Sequence, residues 1–187
     1  MQQCDTLVMT AKVLPAPMAN TMKLRTFIFT LAVLFAISAS SHAGEISLPK
    51  YNIAITLPDR WAHIPDQSIG ILVRAQADSG QLRFIFTRPP IPMEPVPLQN
   101  AAFQKGAKQS LIDQGFSKIV RSEIIKVAGS DAFLCEAARE DKPHSIIQVV
   151  WFHEGHSISL VFLSLAKPFK EVPDVQSIID SVKVLPK

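Results

Sequence analysis

Apolar residues alternate with polar ones, or run on without interruption, in seven stretches: Tyr51–Leu57, Ile69–Ala75, Gln81–Arg88, Lys118–Val127, Ala132–Glu140, Ser145–His153 and His156–Ala166. A period of two, rich in Val, Ile and Phe, is the pattern of β-strands. Turn-forming residues separate most of the stretches: Asp78-Ser79-Gly80, Ala128-Gly129-Ser130-Asp131, Asp141-Lys142-Pro143 and Glu154-Gly155. Connections this short only make hairpins, so the pattern predicts a mainly antiparallel sheet. In Ser145–His153, Ile147, Val149 and Trp151 fall on one face and Ile146, Val150 and Phe152 on the other. Neither face is purely polar, so the sheet needs cover on both sides.

Two segments carry a helical period instead. From about Leu98 to Gln114, Phe103, Ala107 and Leu111 recur every four residues, with Ala102, Gly106 and Ser110 beside them, a small-residue face that predicts close approach to the sheet. Gly115 is placed to end this helix in a left-handed conformation while Phe116 folds back toward Leu111. A second, short amphipathic helix is predicted from Val172-Pro173-Asp174, with Val175, Ile178, Ile179 and Val182 on one face. Residues 89–97, PPIPMEPVP, contain five prolines and exclude helix and ladder pairing alike. They read as a stiff extended crossover from sheet to helix, a proline-rich ligand for a partner's groove being the alternative.

The apolar run from Phe27 to Ile37 belongs to neither pattern. Lys23 and Arg25 precede it and Ser41-His42-Ala43 follow it, which is the layout of a secretory signal peptide cleaved after Ala43. The run is about half the roughly 20 residues that a helix needs to cross a bilayer. Met22 is a natural start for such a signal, so residues 1–21 read as a non-native leader from an upstream start, 22–43 as the signal, and 44–187 as a single mature domain. Gly44, not cysteine, follows the cleavage site, so a lipoprotein's acyl anchor has no thiol there. The expectation is a periplasmic or secreted protein with no stable membrane anchor.

Composition supports a folded domain: the 187 residues are 48% hydrophobic and 19% charged. Cleavage changes the charge, because Lys12, Lys23 and Arg25 against Asp5 account for most of the net +3. The mature chain is close to neutral and has no Lys/Arg run, so nucleic acid is not an expected partner. Of the cysteines only Cys135 lies in the mature chain, where AFLCEAA reads as a small buried hydrophobe.

The residues with visible chemistry are His153, Glu154 and His156, in WFHEGHSIS. The H-E-x-x-H zinc pattern needs one more residue between its histidines, and Ser159 stands where a G-x-S-x-G nucleophile elbow needs glycine. What fits is a hairpin with Glu154-Gly155 at its tip and the two histidines opposite each other on one face. The preferred reading is a solvated, somewhat mobile turn; the alternative is a transition-metal or small-ligand site that uses His153, Glu154 and His156. Asp59 and Arg60 read as a turn leading to Trp61, and Glu136, Glu140 and Asp141 as solvated rather than an acid/base pair. The chain holds only 7 glycines and no phosphate-binding loop, so no catalytic residue and no cofactor is expected.

Taken together, YNIAITLPDRW, the hairpin and proline-rich crossover into LQNAAFQKGAKQSLIDQGFSKI, the strands through FLCEAARE and IIQVVWFHEGHSISLVFLSL, and the closing IIDSVKVL resemble the PsbP-like superfamily. That superfamily includes PsbP, DcrB-type envelope proteins and a Ran-binding nuclear transport protein. The resemblance covers nearly everything after Ala43. It implies an α+β fold, an α/β/α sandwich in which a mainly antiparallel sheet of about six to seven strands carries helices on both faces. It also implies an accessory or binding role, with an envelope protein as the unidentified partner, and brings no functional residues. Trp61, Phe103, Phe133 and Trp151 are expected to lie buried around a single core.

Overall fold

In chain order the elements are β1 (Glu45–Leu48), β2 (Ile53–Thr56), β3 (Ala62–Ile64), β4 (Ile71–Ala77), β5 (Leu82–Thr87), α1 (Ala101–Asp113), β6 (Lys118–Val127), β7 (Ser130–Ala138), β8 (Ser145–His153), β9 (His156–Ser164), α2 (Asp174–Asp180) and β10 (Lys183–Val184). They come from a computed structural model that describes residues 44–186, all within one compact unit. The leader, the signal segment and the cleavage after Ala43 lie outside the described residues. Seven strands form the main sheet in the order β3-β4-β5-β9-β8-β7-β6, and β1-β2-β10 form a second sheet. Among the described residues every pairing is antiparallel, as the short connections require.

The two long hairpins owe their register to two-residue turns. Ala128 and Gly129 have φ of 49° and 81°, and Glu154 and Gly155 have 48° and 69°. Left-handed backbone at both central positions matches the twist of the flanking strands. The first of these turns is tighter than the sequence suggested, so β7 begins at Ser130 rather than Ala132.

Both faces of the main sheet are covered, but differently. On one face Val149, Trp151, Leu160 and Phe162 of the central strands join Phe84 and Phe86 of β5, and β2 contributes Ile53 and Ile55 while α2 contributes Val175, Ile178 and Ile179. On the other, Phe133, Cys135, Ala137 and Ile146 pack with Leu111 and the half-buried Phe103 and Ala107 of α1. The expected sandwich is therefore present, with its second cover made of a small sheet and one short helix. There are two apolar clusters where one core was expected. Trp61, Phe133 and Trp151 are each at most 2% exposed, whereas Phe103 is only half-buried and meets Phe133 edge-on at 5.9 Å between ring centres. Ala102, Gly106 and Ser110 do not face the sheet: all three are exposed, and a Cβ added at Gly106 would meet nothing.

The helix ends follow their sequence signals. Asn100 Oδ1 accepts from Ala102 N at 2.8 Å, capping α1. At the other end Gly115 has φ of 89°, its N–H donates to Ile112 O at 2.8 Å, and Phe116 N–H donates to Leu111 O at 3.0 Å. That is a Schellman motif, which lays Phe116 against Leu111 as the spacing predicted. The second helix is tied down by Asp174, whose Oδ2 accepts from Trp61 Nε1 at 3.0 Å and from Arg60 Nε. The Asp59-Arg60 turn thus presents Trp61 to the core and to α2 at once.

Glu136 departs from expectation. It is 8% exposed and accepts from Arg121 Nε at 3.0 Å, so it is a buried, paired carboxylate instead of a solvated one.

Two measurements test this packing. Phe133→Ala is expected to cost about 3–5 kcal/mol in chemical denaturation and Phe103→Ala only about 1–3 kcal/mol, because the latter already reaches solvent. Equal costs would mean that α1 covers Phe103 more deeply. Burial pushes the Cys135 thiol above its usual range. A raised thiol pKa stabilises the fold below the unfolded value and loses that contribution as pH rises through the folded one. Near pH 8 the native protein should therefore leave Cys135 unreacted with a disulfide reagent, and denaturant should release the full stoichiometric signal.

Candidate functional site

Four segments meet around the β8–β9 tip, brought together by two backbone hydrogen bonds and one between side chains. Gly155 O accepts from Met93 N at 2.9 Å, which draws the proline-rich crossover onto the turn. Gly70 O accepts from Arg88 N at 2.8 Å, which sets the β3–β4 loop beside the start of the same crossover. Asn52 Nδ2 donates to Glu154 Oε1 at 3.1 Å, linking the start of β2 to the tip. Asn52 and Glu154 both have left-handed backbone, φ of 53° and 48°. Asparagine tolerates this readily and glutamate does not, so the contact joins a favourable turn residue to a strained one.

The histidines occupy the places their spacing assigned, as cross-strand partners on one face. Their surroundings differ from a solvated turn. His156 is 9% exposed, and its Nδ1 lies 3.2 Å from Pro89 O. A carbonyl only accepts, so Nδ1 is the donor in this bond. His153 is half-buried with its Nε2 buried and lacking a hydrogen-bond partner. The tip itself bonds to two other segments, the crossover through Met93 N–H to Gly155 O and the residue before β2 through Asn52 Nδ2 to Glu154 Oε1. Among the described residues, no group of three or more His, Cys, Asp or Glu side chains is placed to hold a metal.

Apolar side chains are exposed along this end. Ile69 is 87% exposed, Ile91 76% and Met93 46%. Ile69 lines a shallow depression of about 360 Å³ with Lys50, Tyr51, Arg88 and Pro90. The Arg88 guanidinium sits over the Tyr51 ring at 4.9 Å and Lys50 Nζ at 5.5 Å, so cations and an aromatic face are held next to the aliphatic residues. Sequence reasoning missed Ile69, Tyr51 and Arg88 because their proximity depends on the β2–β5 topology. Ile91 and Met93 were legible only as part of a proline-rich segment, and that segment does form the predicted extended crossover.

No known family model matches the chain, and no curated protein does. Solved structures resemble it. Cyanobacterial PsbP (CyanoP) from Synechocystis sp. PCC 6803 is 15% identical with a TM-score of 0.58, aligned over 79% of this chain and 95% of that one. A protein of Bacteroides thetaiotaomicron VPI-5482 is 13% identical with a TM-score of 0.48, over 78% of this chain and 50% of that one. LpqN, involved in cell envelope biogenesis of Mycobacterium tuberculosis, is 16% identical with a TM-score of 0.47, over 72% and 83%. The chain has a PsbP-like fold, and the CyanoP likeness carries that statement. Among the described residues no helix is long and apolar enough to cross a membrane.

Two imidazoles supply half of a tetrahedral shell, and one of them presents a buried nitrogen, so a rigid metal cage is not expected here. Calorimetry with zinc at neutral pH should show no stoichiometric site tighter than roughly micromolar, about 8 kcal/mol of binding free energy. A tighter site that disappears in both His153→Ala and His156→Ala would establish the metal alternative.

Proposed function

We propose that this protein is an exported accessory module of the cell envelope that acts by binding a partner protein, not by catalysis. The observation that carries the reading is the hairpin-tip surface, where Ile69 stands 87% exposed beside a Tyr51 ring flanked by Lys50 and Arg88, and Ile91, 76% exposed, follows Pro90 of the same depression along the crossover. Single exposed aliphatics are ordinary, but several gathered at one end with an aromatic and cations have the composition of a protein contact. The proline-rich crossover favours the same role, since a pre-extended backbone has little freedom left to lose on binding. Export rests on the signal-like layout of residues 22–43.

Catalysis has less support. The histidine pair fits neither local hydrolase pattern, and the buried carboxylate Glu136 is engaged by Arg121.

Two experiments test the proposal. Intact-mass measurement on protein from its native host is expected to give a chain that starts at Gly44 without an acyl group; a chain still carrying Phe27–Ile37 would replace the exported reading with a tethered one. Affinity capture from the host's envelope fraction is expected to return a reproducible partner with the natural sequence and to lose it at least tenfold with Ile69→Ser/Ile91→Ser. Both positions are exposed, so the double variant should keep its circular dichroism and thermal midpoint. Identical capture by the two forms would remove the hairpin-tip surface from the proposal.

A further inference from the structure

The cover over the Trp151 face stops short of the β6 edge, and a cleft of about 680 Å³ remains there. Its floor is Ala138 and Ile147, its roof is Phe169 and Val172 from the segment that leads into α2 together with Val175 of α2 itself, and Val120 closes the side. Val120 reaches this position through a β-bulge: Ile119 pairs with Ala137 and Arg121 with Glu136, which leaves Val120 as the extra residue. Bulges re-aim side chains, and this one leaves Val120 52% exposed.

Charge is arranged along the cleft in two rows. Lys118, Ala138 and Ser145 pair across the sheet in one row. Ser145 Oγ donates to Lys167 O at 3.2 Å, which draws the 167–170 segment across that row and brings Lys170 to the same cleft. Both lysines are exposed, and neither makes an ion pair among the described residues. The next row is Arg121, Glu136 and Ile147, where the Arg121–Glu136 pair neutralises the buried carboxylate.

We propose that this cleft is a binding site for a compact amphipathic organic anion, an apolar ring or branched body that carries one carboxylate, sulfonate or phosphate. The volume lies in the range of small-molecule sites, and the lining is mostly apolar with a few charged groups at set positions, the combination such sites use. An apolar body rests on Ile147 and Ala138 beneath Phe169 and Val172, and its acidic group meets Lys118 and Lys170. Glu136 makes the site selective. Arg121 is already committed to it and, at 3.1 Å, to Glu123, so a second acidic group at the far end finds an occupied cation and a like charge. A cationic amphiphile meets Lys118 and Lys170 along the first row.

This inference does not rest on the partner-binding reading, and its test uses other residues. The probes are 2-naphthoate and 2-naphthylmethylammonium, which share a ring system and differ in charge, titrated calorimetrically into the purified protein at low ionic strength. The naphthoate is expected to bind one per chain and at least tenfold tighter than the ammonium. Lys118→Glu/Lys170→Glu should reverse that order, and Gln176→Trp, which fills the cleft from α2, should abolish both. All three positions are exposed, so an unchanged thermal midpoint verifies the fold of each variant. No saturable naphthoate binding at millimolar concentration, equal affinity for the two probes, or affinity indifferent to both variants would overturn the proposal.

Discussion

A seven-stranded sheet with apolar side chains on both faces must be covered twice, and this chain has little to cover it with. Seven strands at the usual spacing are about 30 Å across, while one helix with its side chains spans about 10 Å. Cover is therefore concentrated where the sheet is most apolar. On one face α1 lies over Phe133, Cys135 and Ile146, and the β4–β5 half of that face, left without it, carries Arg74, Gln76 and Arg83. On the other, β2 and α2 together cover the aromatic centre formed by Phe84, Phe86, Trp151 and Phe162. The Asp174 carboxylate fixes how far that cover extends, because it ties α2 to Trp61 and Arg60 at the β3 side. The same tie leaves the β6 side open, and there the sheet face changes from Leu134 to Glu136 and Arg121.

Much of this arrangement was legible from periodicity. β6 and β8 have the boundaries that alternation gave, and the Schellman ending at Gly115 followed from one glycine and one returning phenylalanine. The main elements that escaped are short: β1, β3 and β10 have four, three and two residues, too few to show a period. They also explain why the stretch beginning at Tyr51 was read correctly as a strand while its membership of a second sheet was not. The misplaced face of α1 has a similar cause. Ala102, Gly106 and Ser110 repeat every four residues just as Phe103, Ala107 and Leu111 do, and a period alone does not say which row is covered.

The candidate surfaces were less legible, because each depends on contacts between distant segments. His153 and His156 announced themselves by spacing, but the burial of His156 depends on Pro89, and nothing local links the two. Glu136 looked like one more surface acid in a run of alternating residues. Its burial arises on β7, one strand in from the β6 edge, where Arg121 is brought opposite it only because the bulge at Val120 shifts the register by one. Without that bulge the alternation of β6 would carry arginine to the other face.

The two surfaces stand at opposite ends of one strand. β8 begins at Ser145, which with Ile147 borders the cleft, and ends at His153 at the hairpin tip. Eight residues of extended chain separate them by about 26 Å. Between lie Val149 and Trp151, among the most completely buried residues of the sheet, flanked by Leu160 and Ile158 on β9. A strand clamped on both sides transmits rigid-body position well and local distortion poorly, because close-packed side chains leave no room for a partial shift. Occupancy of the cleft and docking at the tip are therefore expected to be energetically independent unless α2 itself moves. The Asp174–Trp61 tie opposes that movement: it joins the roof of the cleft to the same aromatic core on which β8 rests.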